Sequence, residues 1–237
     1  MFSGTPDMTD STARRIRRDD LDLFDSIPGL VCLARDESLR VVWTSHSVSG
    51  LFEGVEDPGE VLGTRLTERV GPEAAQEREG MLRRVIERDE VVHHTMLSVD
   101  SRMLVTVFPL DPGSFGHKGT FAVISDAKQM SNVGRTGTFT LLPTPHFVRF
   151  AALTTRELEV LYQVAQGETT AAIAERLHRS PKTVENHINS IHQKLGTHSR
   201  AELVLLASEH GVHQFSEDEW SRVVHASKRT RPTSSMN

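Results

Sequence analysis

Apolar positions in the second half of the chain recur at helical spacing. In SPKTVENHINSIHQKLG, residues 180–196, Val184, Ile188, Ile191 and Leu195 fall four, three and four apart, which is one stripe of an α-helix. LTTRELEVLYQVAQG opens with Thr154 and Glu157 at capping-box spacing, continues through Leu158, Leu161, Tyr162 and Ala165, and stops at Gly167. ETTAAIAERLHRS follows, with Thr169 as N-cap and Ile173, Ala174 and Leu177 as its inward face. Only His178 to Ser180 separate it from Pro181, which suits the first turn of the next helix. A helix, a tight turn and a longer helix predict a helix-turn-helix. A further helix is predicted from about Arg200 to Glu209; its LVLLA core is apolar on every side and calls for two packing partners. Ser216 and Glu219 repeat the capping-box spacing ahead of Trp220, Val223 and Val224, predicting one more short helix.

The first half mixes short strands with helices. GLVCLA (29–34) and RVVWTS (40–45) form a hairpin-like pair of β-rich runs. GPEAAQEREGMLRRVIERDE (71–90) is helical, with Met81, Leu82, Val85 and Ile86 on one face. VVHHTMLS, RMLVTVFPL and GTFAVIS are three more strands, the last two joined by the turn-rich DPGSFGHK. The resulting plan is a polar arm over 1–20 carrying Arg14, Arg15, Arg17 and Arg18, an α+β domain over 21–127 and a linker over 128–150. A helical domain over 151–213 follows, then a short helix and disordered basic tail over 214–237.

Composition narrows the classes. The 237 residues are 37% hydrophobic and 25% charged, which suits one large or two small domains. No apolar run approaches the roughly 20 residues that span a bilayer, and no apolar segment follows the N-terminal arginines, so no membrane partner is expected. One cysteine, Cys32, cannot make an internal disulfide framework or a cysteine-rich zinc site; the expected compartment is the cytoplasm. The net charge of -5 means that any contact with nucleic acid must rest on local arrangement.

That arrangement sits on the helix over 181–195. Opposite its apolar stripe lie Lys182, Asn186, Asn189 and Gln193: one cation and three amides, groups that donate and accept at once, as base edges require. With LTTRELEVL, Gly167, IAERL, SPKTVENHINSIHQKLG and SRAEL in this order, the segment resembles the LuxR-type helix-turn-helix of bacterial transcription regulators. The resemblance implies an all-α four-helix domain whose third helix enters the major groove and whose fourth makes a dimer contact. It assigns base reading to Glu185, Asn186 and Asn189, with Gln193 on the same face. Lys182, Thr183 and Lys194 are better placed for phosphates, and Arg200 for either a phosphate or a helix end. The dimer contact falls on Val204, Leu205 and Ser208. Asn pairs with adenine and Glu accepts from cytosine, each good pair giving roughly 1–3 kcal/mol of discrimination. Two departures weaken phosphate binding: Ala171 and Ala172 stand where the family commonly has a polar pair, and six Lys/Arg face seven acids between Glu157 and Glu209. The tail cations Lys228, Arg229 and Arg231 would compensate.

LFDSIPGLVCLARDESLRVVWTSHSVSGLFEGVEDPGEVLGTRL resembles the opening of a PAS domain, with Ser45 where an asparagine is common. The resemblance implies an antiparallel five-stranded sheet with helices on one side, serving as a sensory or dimerisation module. No cofactor is required. Cys32 lies in an apolar strand and reads as packing, and His93 and His94 are adjacent on a strand, so they point to opposite faces. Trp43, Phe52, Met96, Phe108 and Phe121 are the expected lining of any small-ligand cavity, or else plain core.

The expected function is a cytoplasmic transcriptional regulator in which a PAS-like domain, answering a ligand or an upstream signalling protein, controls homodimeric binding to double-stranded DNA. The rival is a protein-interaction adaptor whose helix-turn-helix has drifted away from DNA. No nucleophile–base pair, phosphate loop or metal-ligand spacing points to an enzyme.

Overall fold

Alternating apolar runs with β-branched residues build the sheet. The computed structural model describes residues 14–52, 55–126 and 139–230. Its six strands are β1 (Val31–Asp36), β2 (Val41–Thr44), β3 (Val92–Ser98), β4 (Ser101–Pro109), β5 (Gly119–Asp126) and β6 (Thr140–His146). They lie in the order β2-β1-β5-β4-β3-β6, the first five antiparallel. β6 runs parallel to β3 at the sheet's edge, inside the segment expected to be linker. Its Pro143 and Pro145 lie beyond the regular pairing of residues 140–142, where an edge strand tolerates the missing N–H groups.

Three helices belong to this half: α1 (Leu21–Asp25), α2 (Pro72–Arg88) and α3 (Pro112–Phe115). The long α2 starts on Pro72 and ends at Asp89, whose φ of 55° reverses the chain. Its Ala74, Ala75, Met81, Leu82 and Val85 pack on Leu33, Met96, Met103, Val105 and Val107 of the sheet. The opposite face is covered too. Ile16 and Leu21 pack there on Cys32, Ala34 and Phe121, and Ile16 bridges Leu110. Residues 14–20 of the expected polar arm are therefore docked, and α1 lies across the face opposite α2, so helices are not confined to one side. The earlier part of the arm, 1–13, lies outside the described residues.

Five helices follow: α4 (Thr155–Ala165), α5 (Thr170–Arg176), α6 (Pro181–Leu195), α7 (Arg200–Glu209) and α8 (Glu217–Thr230). Side-chain hydroxyls of Thr154, Thr169, Ser180 and Ser199 cap the first four. Glu219 N–H to Ser216 Oγ at 3.3 Å and Ser216 N–H to Glu219 at 2.9 Å make the expected capping box of α8. That helix is longer than expected and reaches Thr230, because Trp220, Val223, Val224 and Ala226 bury a full face. The side chain of Arg229 and all of Arg231 lie outside the described residues. Among the described residues, no helix is long and apolar enough to cross a membrane.

The helical core and the sheet are continuous: Leu97 of β3 and Leu141 of β6 belong to the same buried cluster as Leu158, Leu161 and Val184. The tip of the β3–β4 hairpin is a second tie. Val99 and Asp100 both have positive φ, and the buried Asp100 carboxylate accepts the N–H groups of Val148, Arg149 and Phe150 at the entry to the helices. Burial raises the Asp100 carboxyl pKa, with these three N–H groups opposing. Arg102, beside it, donates to Thr95 at 3.2 Å and to the Gln214 carbonyl, sits 3.4 Å from Glu219 and lies 4.6 Å over the Phe215 ring.

Candidate nucleic-acid interface

α6 is built to present one face. Pro181 supplies a preset φ at its start, the Ser180 hydroxyl accepts the Thr183 N–H at 3.1 Å, and Gly196 ends it with a φ of 68°. Val184, Ile188, Ile191 and Leu195 are buried against the other helices, which leaves Lys182, Glu185, Asn186, Asn189 and Gln193 exposed together. Among the described residues, nothing occupies the side-chain amides of Asn186, Asn189 and Gln193.

The charged members are not all free. Lys182 and Glu185 pair with each other at 3.3 Å, both exposed, a contact worth about 0–1 kcal/mol and easily exchanged for another partner. Thr183 is half-buried in the first turn, with its hydroxyl 2.8 Å from that of Ser180. Lys194 is engaged within the domain: its ammonium lies 2.6 Å from Glu157, whose side chain is 5% exposed. Glu157 also accepts from Ser190 Oγ at 2.6 Å and from the Thr154 N–H at 2.6 Å. Burial alone would raise its carboxyl, but Lys194, Ser190 and Thr154 outweigh this and bring the pKa to about 2. Arg200 is likewise engaged, donating to the Glu168 carbonyl in the turn between α4 and α5. Lys194 and Arg200 thus hold the domain together, a job set by partners more than thirty residues away in sequence. Arg179, in the turn before α6, is exposed and has no ion-pair partner among the described residues. Its place one residue before the Ser180 cap of α6 is the sequence signal that marks it.

α7 divides as its composition requires. Leu203, Leu206 and Ala207 are buried, Val204 and Ser208 are half-buried, and Leu205 is 60% exposed.

A cavity of about 40 Å³ lies between α2 and the inner face of the sheet. Phe52 and Met96 line it as expected. Trp43, Phe108 and Phe121 do not; they pack with the N-terminal arm on the opposite face, Phe108 and Phe121 by strand parity and Trp43 because the register shift between the Ala34–Trp43 and Arg35–Val41 pairs turns it away from the side of Val41. His94 points into the cavity and is 1% exposed, whereas His93 faces out, its Nδ1 3.0 Å from Thr106 Oγ1. Cys32 is fully buried on the arm side, where burial pushes its thiol up to about 12. Among the described residues there is no cluster of three or more His, Cys, Asp or Glu that could hold a metal ion.

The family described as bacterial regulatory proteins, luxR family, matches residues 151–207. The helix-turn-helix is a LuxR-family domain. Transcriptional activator protein ExaE of Pseudomonas putida is 45% identical over 64 residues, 27% of this chain and 30% of that protein. Response regulator UvrY of Escherichia coli is 38% identical over 63 residues, 27% of this chain and 29% of that protein. Transcriptional regulatory protein ComA of Bacillus subtilis is 43% identical over 60 residues, 25% of this chain and 28% of that protein. The chain thus spans less than a third of the length of these relatives. The chain also aligns with VqmA of Vibrio cholera, solved with ligand and DNA, over 85% of this chain and 92% of that one, at 23% identity and a TM-score of 0.43. A PAS domain from Colwellia psychrerythraea aligns over 46% of this chain and 94% of that one, at 11% identity and a TM-score of 0.36. The PAS-like description of the N-terminal half rests on its five antiparallel strands and on α2 across their inner face, not on these distant alignments.

Proposed function

We propose that the chain is a cytoplasmic, homodimeric transcriptional regulator whose α6 reads an operator under control of the PAS-like domain. The observation that carries this reading is the unoccupied amide stripe of Asn186, Asn189 and Gln193 on the capped third helix of a LuxR-family domain. Glu185 and Lys182 flank it and exchange their mutual pair for a base and a phosphate; Thr183 and Arg179 supply further backbone contacts. The dimer forms through Val204, Leu205 and Ser208 of α7, which sets two α6 helices about one helical turn of DNA apart.

Control runs through β3. Its His94, Met96 and Ser98 line the cavity, while the alternate Thr95 and Leu97 face the Arg102 clamp and the helical core. A ligand that shifts β3 therefore acts on both of its faces, and the hairpin tip at Asp100 and Arg102 carries the shift to the helices.

A second reading, an adaptor that has lost DNA binding, draws on the same charges: Lys194 and Arg200 are engaged internally, and Lys182 is paired with an acid of its own helix. Selection of bound sequences from random duplex DNA separates the two. The regulator enriches a two-fold symmetric motif with two half-sites, and its affinity falls as salt rises, with few phosphates contributing about -0.9 each to the log–log slope. No enrichment at low salt leaves a domain silent without its signal or an adaptor, and no enrichment by the isolated helix-turn-helix region, freed of the PAS-like domain, sinks the regulator.

A further inference from the structure

Besides Arg102, the described part of the PAS-like domain buries two arginines, Arg35 and Arg78, that neither DNA binding nor the clamp uses. Arg35, two residues after Leu33 on β1, turns to the inner face of the sheet. Arg78 falls within the buried stripe of α2, between Ala75 and Met81. Both line the cavity, and each is 4% exposed.

Neither guanidinium is satisfied. Arg35 Nε, Arg78 Nε and Arg78 Nη2 have no hydrogen-bond partner, nor does the neighbouring His94 Nδ1. Of the two nearby acids, Glu77 accepts the Thr144 N–H at 3.1 Å, and Glu79 gives one oxygen to Arg65 at 3.3 Å while its Oε1 is buried without a partner; neither hydrogen-bonds Arg35 or Arg78. Burial lowers both arginine pKa values to about 10; Glu79 opposes this at Arg35, while at Arg78 Glu77 opposes it and the charge on Arg35 adds to it. Both therefore stay cationic near neutral pH. His94 is held down at about 3 by burial and by Arg78, so it is neutral there. A buried guanidinium without hydrogen-bond partners is costly, and two that line one cavity call for an anion within it.

Resting on the reading of this domain as a ligand sensor, we propose that the cavity binds a short-chain carboxylate, its head held by Arg78 and Arg35 and its apolar tail against Met81, Leu82 and Met96. The planar forks of two arginines match a carboxylate, and the apolar remainder of the lining suits an alkyl tail better than the further oxygens of a phosphate. The size agrees: about 40 Å³ is a few times the roughly 10–15 Å³ that one water needs, so the acid has only a few carbons.

The test is calorimetric titration of the full chain, in buffer free of carboxylate and phosphate, with propionate and butyrate. Propionamide, butyramide and inorganic phosphate are run alongside, each also against Arg35→Met and Arg78→Met. Saturable binding of an acid is expected, at least about tenfold tighter than its amide and weakened at least about tenfold by either substitution, the scale of a charge-assisted hydrogen bond. Removing an unpaired buried charge does not lower the ligand-free melting temperature, so loss of binding is not mistaken for loss of fold. Binding of acid and amide alike, tighter binding of phosphate, no saturable binding of either acid, or binding retained in both variants overturns the proposal. The same samples are assayed on duplex DNA. No acid binding with intact operator binding overturns the cavity assignment alone; arginine-dependent acid binding without any operator binding supports the cavity and sinks the regulator reading.

Discussion

Lys194→Met distinguishes a lysine that braces the domain from one that grips DNA. In the structure its ammonium completes the coordination of Glu157, which also caps α4 through Thr154 and receives Ser190. The Glu157 carboxyl lies at about 2 against an ordinary 4.5, which corresponds to about 3 kcal/mol of folding stability at neutral pH. A depressed carboxyl pKa gives stability that is fully present above pH 4.5 and is lost as the pH falls toward 2. Removing Lys194 leaves the carboxylate buried with only neutral donors, so the expected cost is on the order of 2–3 kcal/mol. In urea that moves the midpoint by about 1 M. Glu157→Gln in the same background recovers part of the loss, since the amide no longer needs a cation, and the double-mutant cycle gives a coupling above about 1 kcal/mol. The assay is urea denaturation between pH 2 and 8, followed by DNA binding at several salt concentrations. A Lys194→Met variant as stable as the parent, whose salt slope is shallower by about 1, would refute the reasoning and return this lysine to a phosphate.

Leu205→Asp is expected to leave stability within about 0.5 kcal/mol, because the side chain is 60% exposed, while sedimentation shows the dimer replaced by monomer; a persisting dimer would place the interface elsewhere. Arg102→Leu, which strips Glu219 and the Gln214 carbonyl of their partner, is expected to cost about 2–4 kcal/mol and to speed amide exchange around residues 212–219; unchanged exchange there would remove the clamp from the account. Cys32 is expected to resist thiol reagents in the folded chain and to react at once in denaturant, since it is fully buried with its thiol pushed up to about 12; fast labelling of the native protein would contradict this placement.

Local chemistry made much of the C-terminal half legible. The capping hydroxyls at Thr154, Thr169 and Ser180, Pro181 at N1 and the 4-3-4 stripe of α6 are all encoded within a turn or two of where they act. Contacts made across the chain were not legible. The ion pair of Lys194 goes unread because its partner, Glu157, is 37 residues away. β6 was hidden by Pro143 and Pro145, which an edge strand accepts and a central one does not. Ile16 sat among arginines, so a polar stretch concealed the one apolar side chain that docks it. In the cavity, the pleat sends Phe108 and Phe121 to the face opposite Met96, and a local register shift does the same for Trp43, which residue type alone does not reveal. The same parity carries Arg35 inward with Leu33, a signal present in the sequence but masked by the habit of placing arginine outside.

The central claim is that the amides of α6 read bases. The most direct test measures the affinity of the parent and of Asn186→Ala/Asn189→Ala for the selected operator and for a scrambled duplex of equal length, at one salt concentration. Loss of at least about 2 kcal/mol on the operator, with affinity for the scrambled duplex unchanged, is the result this account predicts. An equal loss on both duplexes, or none on either, would contradict it.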